Sequence, residues 1–350
     1  MAVGSLGARA VIETGRAHDL LVSSLWLAHP PTNDRFVDRA GWRTAAHMLE
    51  PADARTLRAL GDLGVINLLG LASELPDRTA EGLISRMLSM APADLVLNAI
   101  GRYRRAVVAG VGADAIEAAV DGDAAARRAF TAASWPEVTE WQRTLRFLLG
   151  RPAADVGAAI AQAYASWHAL AFEPRAGSLA DAQAAAAEAL RAESASWRVD
   201  ALLRRVTPTI EYVAPAGVDV VRFVPTAVVR PIVLLLDHRT ETIIVFSAVE
   251  RADTNDAAER LERIGNALGD ALRIRALAVI AAGPITIVDL AAQLAVPRTS
   301  LTHHIGVLRA AGLISHTLDD GRWGRLALRR EALADIAPLL DQVIGSKPTS

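Results

Sequence analysis

The 350-residue chain contains no cysteine. Disulfides and thiolate metal sites are therefore excluded, which suits a reducing compartment. Lysine is almost missing as well: Lys347 is the only one, so nearly all the positive charge is arginine. Long apolar runs are absent. Hydrophobic residues make up 52% of the chain, but much of that is alanine, and Arg, Asp and Glu stop each run short of the ~18 residues a membrane span needs. Residues 1–15 lack the basic start and apolar block of a secretory signal. These absences together lead to the expectation of a cytoplasmic protein with no membrane partner. General disorder is excluded by the same hydrophobic content.

What is present is enough sequence for two or three domains. The net charge of −2 is unevenly spread. Residues 266–330 hold eight arginines against four aspartates, a surplus of +4, which leaves −6 for the remainder. One basic end on an acidic chain suits a polyanion-binding domain joined to a domain of another kind.

Residues 1–205 read as mainly helical. Residues 19–28 (DLLVSSLWLA), 53–63 and 82–90 space their apolar positions three and four apart, and Pro51, Pro76, Pro92, Pro136, Pro152 and Pro174 fall at helix-length intervals. Residues 178–203 suit one long Ala-rich helix. After Pro208 the period shortens. Residues 209–213, 218–224, 232–236 and 242–249 are rich in Val, Ile and Thr and bounded by turn residues, with 237–241 (DHRTE) as a hairpin loop. A small antiparallel sheet over 206–250, packed on the helical body of 1–205, is expected. Asp253, Thr254 and Asn255 offer caps for a helix with a heptad-like line through Ala258, Leu261, Ile264 and Leu268. This helix is expected to open the last domain, 253–345, linking it to the body and supplying part of a dimer contact.

The most specific pattern lies in that last domain. Residues 285–296 (ITIVDLAAQLAV) suit a short helix, Pro297 breaks it, and 298–311 (RTSLTHHIGVLRAA) suit a second helix stopped by Gly312. Residues 313–318 and 325–329 can pair as a hairpin around 319–324 (DDGRWG). Helix, turn, helix and hairpin is the order of a winged helix-turn-helix, in which the second helix enters the major groove of DNA. The expected fold class is therefore α+β, mainly α: a helical body with a small antiparallel β element, then a winged helix-turn-helix domain.

Leu301, Ile305 and Leu308 fall at i, i+4 and i+7 and should share a buried face. Arg298, Thr299, Ser300, Thr302 and His303 are then left for DNA at the amino-terminal end of the helix. Arginine can bond guanine with two donors, and threonine can reach a base edge or a thymine methyl. Arg309, Arg322 and Arg325 suit phosphate contacts. Trp323 either stacks on sugar or covers the hairpin, and His304 reads as a histidine bonded within its own domain.

These residues resemble the ArsR-type winged-helix regulators. Residues 268–277 (LGDALRIRAL) match the family's opening helix, with Ala271 where proline is common. Asp289-Leu290-Ala291 matches the positioning helix. Residues 301–305 (LTHHI), Leu308 and 311–314 (AGLI) match the recognition helix, and Asp320-Gly321-Arg322 matches the wing tip. The resemblance covers about 65 to 80 residues. It implies a homodimeric transcriptional regulator, more often a repressor, on double-stranded DNA with a pseudo-palindromic operator. Many members sense metals. Here Ile287, Val288 and Asp289 stand where soft-metal sensors carry cysteine, and the last helix has Asp335 and Asp341 without histidine, so no metal is expected in the family's sites. The long amino-terminal part resembles the helical extension of larger actinobacterial ArsR-type regulators, which implies an unidentified small-molecule effector or a dimerisation role. Trp26, Trp42, Trp135, Trp141, Trp167 and Trp197 either line a pocket there or fill its core.

Two other readings stand beside this one. A winged helix can instead be a protein-interaction module. The other alternative is an enzyme of unrecognised type in the amino-terminal body, since the sequence has no nucleophile elbow, P-loop, dinucleotide glycine motif or zincin helix. His47 with Glu50, and Asp237 with His238, are weak candidates for chemistry. No enzymatic activity and no cofactor are expected.

Overall fold

Alanine-rich segments divided by prolines fold into a succession of helices. The computed structural model describes residues 8–104, 107, 110–135, 138–194, 198–213, 217–248, 257–319 and 322–345, with the backbone alone at 31, 32, 319, 322 and 323. In chain order the helices are α1 (Arg16–Ser23), α2 (Leu25–Ala28), α3 (Arg39–Met48), α4 (Pro51–Ser73), α5 (Ala80–Ser89), α6 (Pro92–Ile100), α7 (Ala113–Asp121), α8 (Ala124–Ala133), α9 (Thr139–Leu149), α10 (Ala153–Trp167), α11 (Ala176–Ser194), α12 (Val199–Val206), α13 (Ala257–Leu268), α14 (Ala271–Ala282), α15 (Ile287–Leu294), α16 (Arg298–Ala310), α17 (Arg330–Ala334) and α18 (Ile336–Gly345). The strands are β1 (Arg9–Ile12), β2 (Ile210–Val213), β3 (Val220–Thr226), β4 (Val233–His238), β5 (Glu241–Ser247), β6 (Ile285–Thr286), β7 (Ile314–Asp319) and β8 (Arg322–Leu328). The fold is α+β and mainly α, as expected. Among the described residues no single helix is long and apolar enough to cross a membrane.

The chain divides into two units: residues 8–194 with 217–248, and residues 198–213 with 257–345. In the first, the body, α1 to α11 pack around a core in which Trp42, Trp141, Trp167, Tyr164, Phe130 and Phe172 are fully buried. The prolines act as starts: Pro51 and Pro92 open α4 and α6, and Pro152 is the N-cap of α10. The 23-residue α4 is kinked at Gly61, whose φ of 58° favours glycine. Thr144 of α9 donates its hydroxyl to the carbonyl of Leu60 that the kink exposes, at 3.1 Å. Residues 19–28 divide between α1 and α2, and the hydroxyls of Ser23 and Ser24 bond the carbonyls of Leu20 and Leu21 at 2.6 and 2.7 Å. The long helix expected over 178–203 ends at Ser194, and a separate helix begins at Val199.

The body's sheet corrects one expectation. Its order is β1-β3-β5-β4, and only the β4–β5 hairpin is antiparallel. Strand β1 runs parallel to β3, and β3 parallel to β5, so the sheet is mixed. The sequence pattern gives strand period but not partner, and β1 had no long alternating run to announce it. Arg222 of β3 ties the parallel strands together. Its guanidinium bonds Glu241 of β5 at 2.7 Å and also pairs with Glu13, which follows β1. At the hairpin, Glu74 accepts from His238 at 2.9 Å and from Arg239 at 2.8 Å, so the Asp237-His238 pair belongs to a turn clamp.

A second correction concerns residues 206–250. Strand β2 is not part of the body's sheet; it pairs in parallel with β7 in the second unit, Ile210 opposite His316 and Val213 opposite Asp319. That unit's sheet has the order β2-β7-β8-β6. Helix α12 belongs to the same unit. The expected boundary at 205–206 therefore lies instead near residues 195–197, and the β segment divides. Covering the outer edge of β7 is the physical gain, since an open edge strand invites non-native pairing. The core of this unit is formed by Ile264, Ala267, Leu277, Ile280, Leu290, Leu294, Leu301, Ile305, Leu308, Leu313, Ile314 and Leu326. Of the heptad-like line, Ile264 is buried while Ala258 is exposed. The caps expected at Asp253, Thr254 and Asn255 lie outside the described residues.

Asp19 is a buried carboxyl with a pH consequence. It is 1% exposed, and neither oxygen has a hydrogen-bond partner of normal geometry among the described residues. Burial raises its pKa to about 7; the Thr226 hydroxyl, the Ala227 amide and Arg16 offset this only in part. The carboxyl stays protonated in the folded chain at a pH where the unfolded chain has released its proton, so stability falls as pH rises towards 7. Asp19→Asn removes that loss. Its stability relative to the wild type should rise by about 3 kcal/mol between pH 5 and pH 8. Thermal or urea unfolding at the two pH values measures it, and a constant difference would rule out a titrating Asp19.

Candidate nucleic-acid interface

The helical pair that carries the interface is set by local signals. Thr286 caps α15: its hydroxyl oxygen accepts from the Asp289 amide at 3.2 Å, and the hydroxyl donates to the Asp289 carboxylate at 2.8 Å. Ala295 closes α15 in the left-handed region at φ 55°, and Pro297 is the N-cap of α16. Gly312, at φ 76°, turns the chain from α16 into β7. Asp270 caps α14 by accepting from the Arg273 amide at 2.9 Å, and that bond, with the nearby cations, holds its carboxyl below the usual range.

Leu301 and Leu308 are fully buried, and Ile305 nearly so. The opposite side of α16 is solvent-facing: Arg298, Thr299, Ser300, Thr302 and His303 are all exposed. Thr299, Thr302 and His303 fall within one stripe at helical spacing, with Arg298 and Ser300 flanking it. The Thr302 hydroxyl donates to the Arg298 carbonyl of its own helix at 2.9 Å. No side chain caps α16, so its first amides remain available to an anion.

Gly306 completes the stripe and was missed by the sequence reading. It is exposed, and a Cβ built there meets nothing within 4 Å. A smooth spot one turn beyond Thr302 and His303 allows close approach of another surface. Its signal in the sequence was faint: a glycine inside a helical pattern at the position that faces away from Leu301 and Leu308.

The arginines behave differently from their bulk charge. Arg273 donates to the carbonyls of Ala267 and Asn266, both at 2.7 Å, at the end of α13. Arg275 donates to Leu294 at the end of α15 at 3.0 Å, Arg329 to Gly312 after α16 at 3.0 Å, and Arg330 to Ala281 near the end of α14 at 3.2 Å. Four of the eight arginines behind the +4 surplus thus satisfy helix-end carbonyls. Arg325 is exposed but donates to the Pro284 carbonyl at 3.0 Å. Arg309 is half-buried, and burial lowers its pKa. Burial first, and Arg309 second, push the neighbouring His316 down to about 4. Arg298 is the arginine that the structure leaves on the outward face with no bond from its side chain among the described residues. The side chains of Arg322 and Trp323 lie outside the described residues, as do Asp320 and Gly321.

His304 is half-buried, with Nδ1 3.6 Å from the Asp270 carboxylate, so it faces inward towards the cap of α14. In the body, two groups bring three possible metal-ligand atoms within 4.8 Å of one another: His29, Asp62 and Glu140, and Glu81, His168 and Glu173. In the first, His29 already pairs with Asp62 at 2.8 Å. In the second, the Arg16 guanidinium stands 3.6 and 3.7 Å from the two glutamates and supplies the positive charge itself.

Residues 268–317 match a family described as a helix-turn-helix domain. The carboxy-terminal unit is a helix-turn-helix domain, with the hairpin β7–β8 following its second helix. Comparison with curated proteins and with solved structures gives no match.

Gly306 offers a clean test of the surface geometry. Its backbone is helical and its surroundings are open, so Gly306→Ala should raise stability by up to ~1 kcal/mol. A thermal-unfolding comparison reads this, and a destabilised variant would mean that the spot is already filled.

Proposed function

We propose that the protein is a sequence-specific DNA-binding transcriptional regulator. The observation that carries this reading is the outward stripe of α16, with Arg298, Thr299, Ser300, Thr302 and His303 exposed over a sealed row of Leu301, Ile305 and Leu308. A helix of this kind places its amino-terminal residues against base edges in the major groove, with its open amides near phosphate. Arg298 is the direct base reader in this account, and Thr299, Ser300, Thr302 and His303 share the groove floor. Arg325 serves the backbone from the wing; Arg322 and Trp323 have the same role by the sequence reading. Arg309, half-buried, contributes mainly to the fold.

The reading extends to a homodimer on a pseudo-palindromic operator, with half-sites about one helical turn apart. Leu340 and Ile344 support it: they lie one turn apart on α18, 42% and 74% exposed. Repression rather than activation follows the ArsR-type resemblance. The body serves as the effector-binding part, and the protein acts in the cytoplasm without catalysing a reaction. A winged helix that docks on protein is the second reading, and the unpaired Arg298 and open helix start favour DNA over it.

Arg298→Ala and Thr302→Ala should each weaken the specific complex by about 1–3 kcal/mol, while affinity for unrelated DNA changes little. Gel shifts on a selected operator and on random DNA test this. Wild-type affinity in both variants would remove α16 from the groove. Ile344→Asp should yield monomers in analytical ultracentrifugation and abolish cooperative occupation of paired half-sites; an unchanged sedimentation coefficient would place the dimer contact elsewhere.

A further inference from the structure

A cleft of about 330 Å³ opens in the body between α2, α3 and α4. One side is apolar, formed by Trp26, Leu27 and Ala46. The other is cationic. Arg43 and His47 sit one turn apart on α3, and Arg58 reaches in from α4. No carboxylate lines the cleft.

Three features bear on what the cleft would hold. First, Arg43, His47 and Arg58 have no hydrogen-bond or ion-pair partner among the described residues. Three other arginines of the body are instead tied down, Arg78 to Glu13 at 2.8 Å, Arg175 to Asp38 at 2.8 Å and Arg222 to Glu241 at 2.7 Å, whereas Arg39 and Arg55 are as open as Arg43 and Arg58. Second, the Asn33 side-chain oxygen at the cleft is buried with no partner among the described residues; with the amide turned over, its NH2 would donate to a bound anion. Third, the apolar wall is rigid. Trp26 meets Phe36 edge-on at 5.3 Å, Phe36 meets Trp42 at 6.2 Å, and Trp42 stacks on Trp167 at 5.9 Å. The wall is therefore formed before any ligand arrives.

A wall that includes the Trp26 indole, opposite Arg43 and Arg58, suits a molecule with a planar apolar body and one anionic head. The volume lies at the lower end of the range for small-molecule sites, about 300–1,000 Å³, and accommodates one or two rings. Guanidinium groups suit a carboxylate through paired donors.

We propose that this cleft binds a small aromatic carboxylate and is the ligand site of the regulator; the second clause rests on the function proposed above, the first does not. The probes are 1-naphthoate and its neutral isostere 1-naphthamide, titrated calorimetrically into the full chain without DNA. Naphthoate should bind at least tenfold more tightly than naphthamide. Arg43→Gln with Arg58→Gln changes two exposed side chains, so the unfolding midpoint should hold while naphthoate affinity drops to that of naphthamide. Equal affinity for the two compounds, no binding of naphthoate at millimolar concentration, or unchanged binding by the double variant would each overturn the site. A gel shift with and without saturating naphthoate separates the two clauses: a shifted operator affinity supports the regulatory clause, and an unchanged one removes it. A wild-type chain that binds naphthoate but no DNA would remove the regulator and leave the site standing.

Discussion

Burial of Leu301, Ile305 and Leu308 on one side of α16 is the constraint from which the interface follows. A helix of thirteen residues has no stable orientation of its own in water. Once these three side chains are sealed against Leu277, Leu290, Leu294 and Leu326, the helix is held by its core. The residues on the other side must then face outward, and Arg298, Thr299, Ser300, Thr302 and His303 all carry hydrogen-bonding side chains. The polar face is thus a consequence of apolar packing, with Gly306 leaving its surface low beyond Thr302 and His303.

Arginine holds the same unit together at its helix ends. Arg273, Arg275, Arg329 and Arg330 each donate to carbonyls that a helix leaves unpaired where it stops. The two arginines in LGDALRIRAL therefore have a structural use, as does its Asp270. Net charge over a segment overstates the charge available to a partner when half of it is bonded inside. In a chain with a single lysine, the planar guanidinium serves both purposes, and only its surroundings tell them apart.

The sequence made the helix-turn-helix legible because its signals are local. The break at Pro297, the stop at Gly312 and the i, i+4, i+7 row each act within a few residues. Strand pairing is not local, and there the reading departed from the structure. Residues 210–213 carry the β pattern but nothing that distinguishes a place beside β3 from one beside β7, more than a hundred positions onward. Strand β1 was silent for a related reason: four residues beside a parallel neighbour need no alternating pattern. Arg309 was read as a phosphate ligand, and the structure places it half-buried beside His316. The tryptophans divided as their burial decides. Trp42, Trp141 and Trp167 fill the core, Trp26 gives one side to a cleft, and Trp197 lies outside the described residues.

The central claim is that the outward side of α16 reads DNA in pairs. Footprinting of the purified protein across genomic DNA of its own source tests it most directly. The account gives protected sites made of two inverted half-sites, centred about 10–10.5 base pairs apart or a multiple of that, with contacts on one face of the duplex. Uniform, sequence-independent protection, or none at low salt, would contradict it.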